Sequence, residues 1–260
     1  MRNLHHRPVP QCLRLSQLLK FSVLLSSLFG LQNIAWSQSN AELLIAAASD
    51  LAVVARKIDS YYSETYKTKL RFSFGATGML SQQIRSGAPY DVYLSANERF
   101  MDDLIKDSFV LKESKRVYAL GRLALWSRDA AIGSLPDLER PGVKHVAIAN
   151  PAHAPYGQAA TEALRRSGVR LAGSVVYAEN VRQALQFAES GNAEAAIVAW
   201  SLVIGRRGAV LLPDSLHAPI RQAGGVVARS SRPAAARRFI DFLTAPDGRR
   251  FLEQYGFSLP

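Results

Sequence analysis

The sequence predicts an α/β protein: two Rossmann-like α/β domains joined by two crossing strands, with a ligand cleft between them. Three observations predict it. Apolar runs of strand length alternate with amphipathic helical stretches at the pitch of βαβ units. The alternation runs from residue 42 to 108 and starts again at 116. Two strand candidates, 116–127 and 220–229, are long enough to pass from one domain to the other.

The first element, "ELLIAAAS" (42–49), is a continuous apolar run ending in a hydroxyl, as a strand buried on both faces requires. Residues 50–66 follow with Leu51, Val54, Ile58 and Tyr61 or Tyr62 at helical spacing. A strand at 69–74 and a helix at 78–87, stopped by Gly87, come next. The alternating stretch 90–96 is a third strand, and 97–108 a helix with Phe100, Leu104 and Ile105 facing inward. After the crossing at 116–127 the second set reads strand 145–151, helix 156–169, strand 174–179, helix 181–192 and strand 193–200. A short strand at 209–213 precedes the second crossing, and helices at 234–245 and 246–257 end the chain. The domains are therefore placed at 38–119 plus 225–260 for the first and 120–224 for the second.

Residues 1–37 read differently from the rest. Arg2, Arg7, Arg14 and Lys20 occur there without an acid, followed by a short apolar stretch and a small-residue site at Ala35-Trp36-Ser37. That is a secretory signal cleaved near Ser37, which places the mature protein in the periplasm; an uncleaved anchor is the alternative. The chain has 32 Lys and Arg against 21 Asp and Glu, a net charge of +11. Removing the four bases of the signal leaves 28 against 21, or +7. The remaining bases are scattered, apart from paired arginines that read as solvated helix faces, and no basic stripe is interleaved with aromatics. Nucleic acid is therefore not an expected partner. The single cysteine, Cys12, falls in the signal, so neither disulfides nor a cysteine site is expected after cleavage.

No nucleophile elbow, phosphate loop, HExxH or dinucleotide fingerprint is present, and no acid/base pair can be assembled, so catalytic residues are not assigned. One local design recurs instead. Ser49, with Asp50 after it, ends a strand just before a helix. Thr77, between Gly75 and Gly78 in "FSFGATGMLSQQI", does the same. Two further helices start near Tyr156 and Val181. Four helix N-termini, two from each domain, then lie at the carboxyl ends of strands, where open α/β sheets bind ligands. Free N–H groups and the helix dipole make each such end favour an anion. The ligand implied is a small enclosed oxyanion held without a salt bridge. The plainer reading makes Ser49 and Thr77 helix caps. The Asp50 carboxylate would repel an anion if it pointed inward, and is expected instead to cap or face its own first helical turn while its backbone N–H points at the ligand. As no proposed donor titrates, anion binding is expected to be flat between about pH 6 and 9.

With "AAASDL", "FSFGATGMLSQQIRSGAPYDVYLSA", "IANPAHAPYGQAATEAL" and "AENVRQALQFAESGNAEAAIVAWS" in this order, the chain resembles the periplasmic molybdate-binding proteins of ABC importers, within the type II periplasmic binding proteins. The resemblance implies a monomeric, non-enzymatic solute-binding protein without a cofactor, which captures molybdate, and also tungstate, for an ABC permease. It carries molybdate contacts onto Ser49, Asp50 and Thr77 in the first domain and onto the N–H groups of Tyr156 and Val181 in the second, with no direct metal-ion ligand. The chain departs from some relatives in having Ala199 and Trp200 where they place a ligand tyrosine. A protein for another oxyanion or an organic acid, a ligand-sensing module and an exported enzyme are the alternative readings.

Overall fold

The computed structural model describes residues 41–260. The expected signal and Cys12 lie outside the described residues. Two five-stranded sheets form two lobes. The first has the order β2-β1-β3-β10-β4, from β1 (Ala41–Ala48), β2 (Thr68–Gly75), β3 (Val92–Ser95), β4 (Arg116–Gly121) and β10 (Ile220–Val226). The second has the order β7-β6-β8-β5-β9, from β5 (Leu123–Ser127), β6 (His145–Ala149), β7 (Ser174–Ala178), β8 (Ala195–Ala199) and β9 (Ala209–Leu211).

β1, β2 and β3 are parallel to one another, as are β6, β7 and β8, as expected, but β10 and β5 run against them. β10 pairs antiparallel with β3 and β4, and β5 antiparallel with β8 and β9. The stretch 116–127 is not one strand: it breaks at Arg122, with β4 in the first sheet and β5 in the second. β10 pairs with the first sheet from Ile220 onward, so the second crossing precedes Ile220, several residues before the domain limit drawn at 224.

Helices cover both sheets: α1 (Val54–Tyr66), α2 (Thr77–Arg85), α3 (Glu98–Lys106), α7 (Pro233–Thr244) and α8 (Pro246–Gln254) in the first lobe, and α4 (Pro155–Ser167), α5 (Val181–Ser190) and the short α6 (Trp200–Val203) in the second. On α3 the buried residues are Met101 and Leu104, while Phe100 and Ile105 are only partly buried. Separate apolar clusters fill the two faces of the first sheet, around Ile58, Tyr62 and Phe239 on one side and Leu80, Tyr93 and Met101 on the other. The core of the second lobe reaches across to Ala48, Ala76 and Ala96 of the first. Small side chains at these strand ends let the two backbones approach.

Candidate functional site

Strand register assembles the first half of the site. β1 and β2 are parallel and in step, Ala41 opposite Thr68 through Ala48 opposite Gly75, so the chain leaves both strands at the same level. Ser49 opens a single helical turn and Thr77 is the first residue of α2, placed side by side by that pairing. In the second lobe Ala149 of β6 lies opposite Ala178 of β7, and the loops that follow lead into α4 and α5. Asn180 caps α5, its side chain accepting from the Arg182 and Gln183 N–H groups, which leaves the Val181 N–H without a helical acceptor.

All five residues singled out in the sequence, Ser49, Asp50, Thr77, Tyr156 and Val181, line one small cavity between the lobes. The rest of its wall is Ala48, Gly75, Ala76, Ala96, Ala154 and Pro155. No lysine or arginine is among them. Three helices, α2, α4 and α5, begin at its wall, and free N–H groups and helix dipoles there favour an anion. Ala199 and Trp200 do not line the cavity: Ala199 is buried within β8, and the Trp200 ring packs against Gly256.

The two hydroxyls are not equivalent. Thr77 Oγ1 accepts from the Ala96 N–H at 3.1 Å, and its carbonyl accepts from the Tyr93 hydroxyl at 2.9 Å. With the oxygen fixed as an acceptor, the Thr77 hydroxyl proton is free to be donated. Ser49 donates its hydroxyl to the Gly75 carbonyl at 3.0 Å, so its only hydroxyl proton is engaged in this arrangement. Neither is a side-chain cap: the cap positions are Ala48 and Ala76, and no side chain caps either turn.

Asp50 corrects the expectation that it would cap its own helix. It is 0 % exposed and ties the lobes together. Tyr156 of the second lobe donates to Asp50 Oδ2 at 3.0 Å, Gln222 of β10 donates to the same oxygen, and Tyr118 of β4 donates to Gln222 Oε1 at 2.8 Å. Ser201 of α6 donates to the Asp50 carbonyl at 2.8 Å. Asp50 Oδ1 is buried without a partner. Burial pushes the carboxyl up to about 6, against the opposing pull of the Gln222 and Tyr156 hydrogen bonds. Burial likewise raises the Tyr118 and Tyr156 phenols, so both remain donors. The sequence reading missed Tyr118, Ser201 and Gln222. The signal available was Gln222, an uncharged polar residue inside an otherwise apolar strand.

The lobes also meet at the cavity mouth. The Gly78 N–H, in the first turn of α2, donates to the His153 carbonyl at 2.8 Å. A Cβ on Gly78 would lie 2.9 Å from His153 Cβ, so only glycine allows this approach without a shift. Gly121, at the first crossing, has the same role under Tyr156: a Cβ there would overlap the phenol oxygen.

A family model described as bacterial extracellular solute-binding protein matches residues 43–258. The chain belongs to this family. The solute-binding protein is 33% identical over 221 residues to the molybdate-binding protein ModA of Rhodobacter capsulatus, covering 83% of this chain and 88% of that one. To ModA of Azotobacter vinelandii it is 33% identical over 238 residues, covering 87% and 93%. The solved periplasmic molybdate-binding protein of Azotobacter vinelandii superimposes with a TM-score of 0.79 at 27% identity, over 84% of this chain and 99% of that one. Two lobes of mixed sheet around a cleft, with two crossings, make the fold that of the type II periplasmic binding proteins.

Proposed function

We propose that this solute-binding protein captures molybdate in the cavity between its lobes, accepts tungstate as well, and delivers the anion from the periplasm to an ABC permease. The observation that carries the reading is the cavity: small, lined from both lobes without a lysine or arginine, and met by the N-termini of three helices. A tetrahedral dianion suits such a site, because several N–H groups and hydroxyls can each take one oxygen. Thr77 donates its free hydroxyl, and the first-turn N–H groups of Tyr156 and Val181 donate from the other side. Ser49 turns its hydroxyl from the Gly75 carbonyl to an anion oxygen, exchanging a neutral hydrogen bond for a charge-assisted one. The similarity to molybdate-binding relatives over most of the chain supports the choice of anion.

The protein acts by binding and release: molybdate enters the open cleft, the lobes close at the crossings, and the permease receives it on reopening. Sulfate is selected against by size, since a smaller tetrahedron cannot reach every donor and each buried N–H left unpaired costs about 1–3 kcal/mol. Calorimetric titration of ligand-free protein with molybdate, tungstate, sulfate and phosphate is the test. One-to-one binding of the first two, at least about a hundredfold tighter than the others, is expected. Silence with molybdate and tungstate beside heat from another anion overturns the substrate.

A further inference from the structure

The two crossings and the C-terminal tail converge on a second pocket, of about 130 Å3. Leu120 and Arg122 line it from the first crossing, His217, Pro219 and Ile220 from the second, and Ser258 from the tail, where Leu120 and Ser258 exchange backbone hydrogen bonds. None of these residues lines the molybdate cavity.

Two nitrogens of residues that line this pocket are buried without partners: Nε of Arg122 and Nε2 of His217. His217 is 4 % exposed, and its Nδ1 is 2.8 Å from the Ala218 carbonyl. A carbonyl only accepts, so Nδ1 carries the proton, and in the neutral ring Nε2 presents a bare lone pair that calls for a hydroxyl donor. Arg122 is in no ion pair among the described residues, and the unpaired Nε edge of a guanidinium is half of the fork that grips a carboxylate. Buried polar atoms without partners are rare and costly, and an absent ligand is one of their explanations. Leu120, Pro219 and Ile220 supply an apolar wall for a short carbon chain. Exposed Asp214, which also lines the pocket, offsets the arginine charge and favours one carboxylate over two.

We propose that this pocket is a second ligand site, for a small hydroxymonocarboxylate. As the ligand enters, Arg122 and His217 shift to bring these nitrogens to the pocket surface, where its carboxylate pairs with the Nε edge of Arg122 and its hydroxyl donates to His217 Nε2. The ligand braces one crossing against the other and thereby changes the affinity of the cleft for its anion. Binding at either site then alters binding at the other by the same factor.

The test uses the full chain, stripped of ligand or saturated with molybdate, and titrates L-lactate, with propionate as the analogue lacking the hydroxyl. Lactate is expected to bind the molybdate-saturated protein, which separates this site from the cleft. Propionate is expected to bind about tenfold more weakly, and saturating lactate to shift molybdate affinity about fivefold. Arg122→Gln is expected to remove lactate binding and the shift while leaving molybdate affinity in lactate-free buffer unchanged. Absence of lactate binding to both forms of the protein, equal binding of propionate, or lactate binding that survives in Arg122→Gln overturns the site. Lactate binding with no change in molybdate affinity overturns the coupling. Should molybdate itself not bind, the lactate and propionate titrations of the stripped protein still decide the second site.

Discussion

Thr77 does two things with one oxygen. Its lone pair satisfies the Ala96 N–H, and its proton is left for the anion. Thr77→Val removes both, so molybdate affinity is expected to fall about tenfold and stability by about 1–3 kcal/mol, while Thr77→Ser restores both; calorimetry and urea unfolding read the two effects separately. Asp50 has the opposite character, an acid beside an anion. Its carboxyl titrates near 6 in the folded protein against an ordinary 3.8. A proton held more tightly when folded stabilises fully below about pH 3.8, and that contribution is lost as pH rises through about 6. Above that, the buried charge costs on the order of 3 kcal/mol. Asp50→Asn is expected to raise unfolding free energy by about 2 kcal/mol near pH 7.5, the gain shrinking toward pH 4. Molybdate affinity of the unaltered protein should weaken as pH rises through about 6 and lose that dependence in Asp50→Asn. This replaces the flat profile expected from sequence, where Asp50 read as a cap because nothing in the chain order announces Tyr156 or Gln222 beside it. Ser49 and Thr77 were legible because strand-to-helix turns are local; the partners of their oxygens were not.

At the scale of elements, the site depends on register. Because β1 and β2 keep step for eight pairs, the loops carrying Ser49 and Thr77 end level, and a slip of one residue would invert every side chain and separate them. Strand and helix order, and the helix starts near Tyr156 and Val181, could be read from periodicity alone. The reversal of β10 and β5 against their neighbours could not, since pairing direction leaves no trace in an apolar run. Nor could the break at Arg122, which lies within what reads as one strand. The first turn of α2 offers a sharp test of closure. Gly78→Ala leaves helix propensity no worse but places a methyl group against His153, so molybdate affinity is expected to drop about fivefold or more with little change in thermal stability. Unchanged affinity would mean that the mouth closes without this contact.

Within residues 41–260 the two lobes touch at both ends of the cleft. Asp50, Tyr156 and Gln222 bind across the floor of the cleft, and Gly78 meets His153 across its mouth. These contacts involve few residues, so opening exchanges a handful of hydrogen bonds for solvation and parts Ala48, Ala76 and Ala96 from the second lobe's core, while the two clusters of the first lobe stay intact. The Gly78 amide is tied to the other lobe rather than to its own helix. It therefore serves as a clock for the hinge: its deuterium uptake can proceed only during moments when the lobes part. Protection at that single amide, read with and without molybdate, should rise in proportion to the fall in open population, while amides of β1 hold steady. One proton at the lip thus reports the free energy of capture.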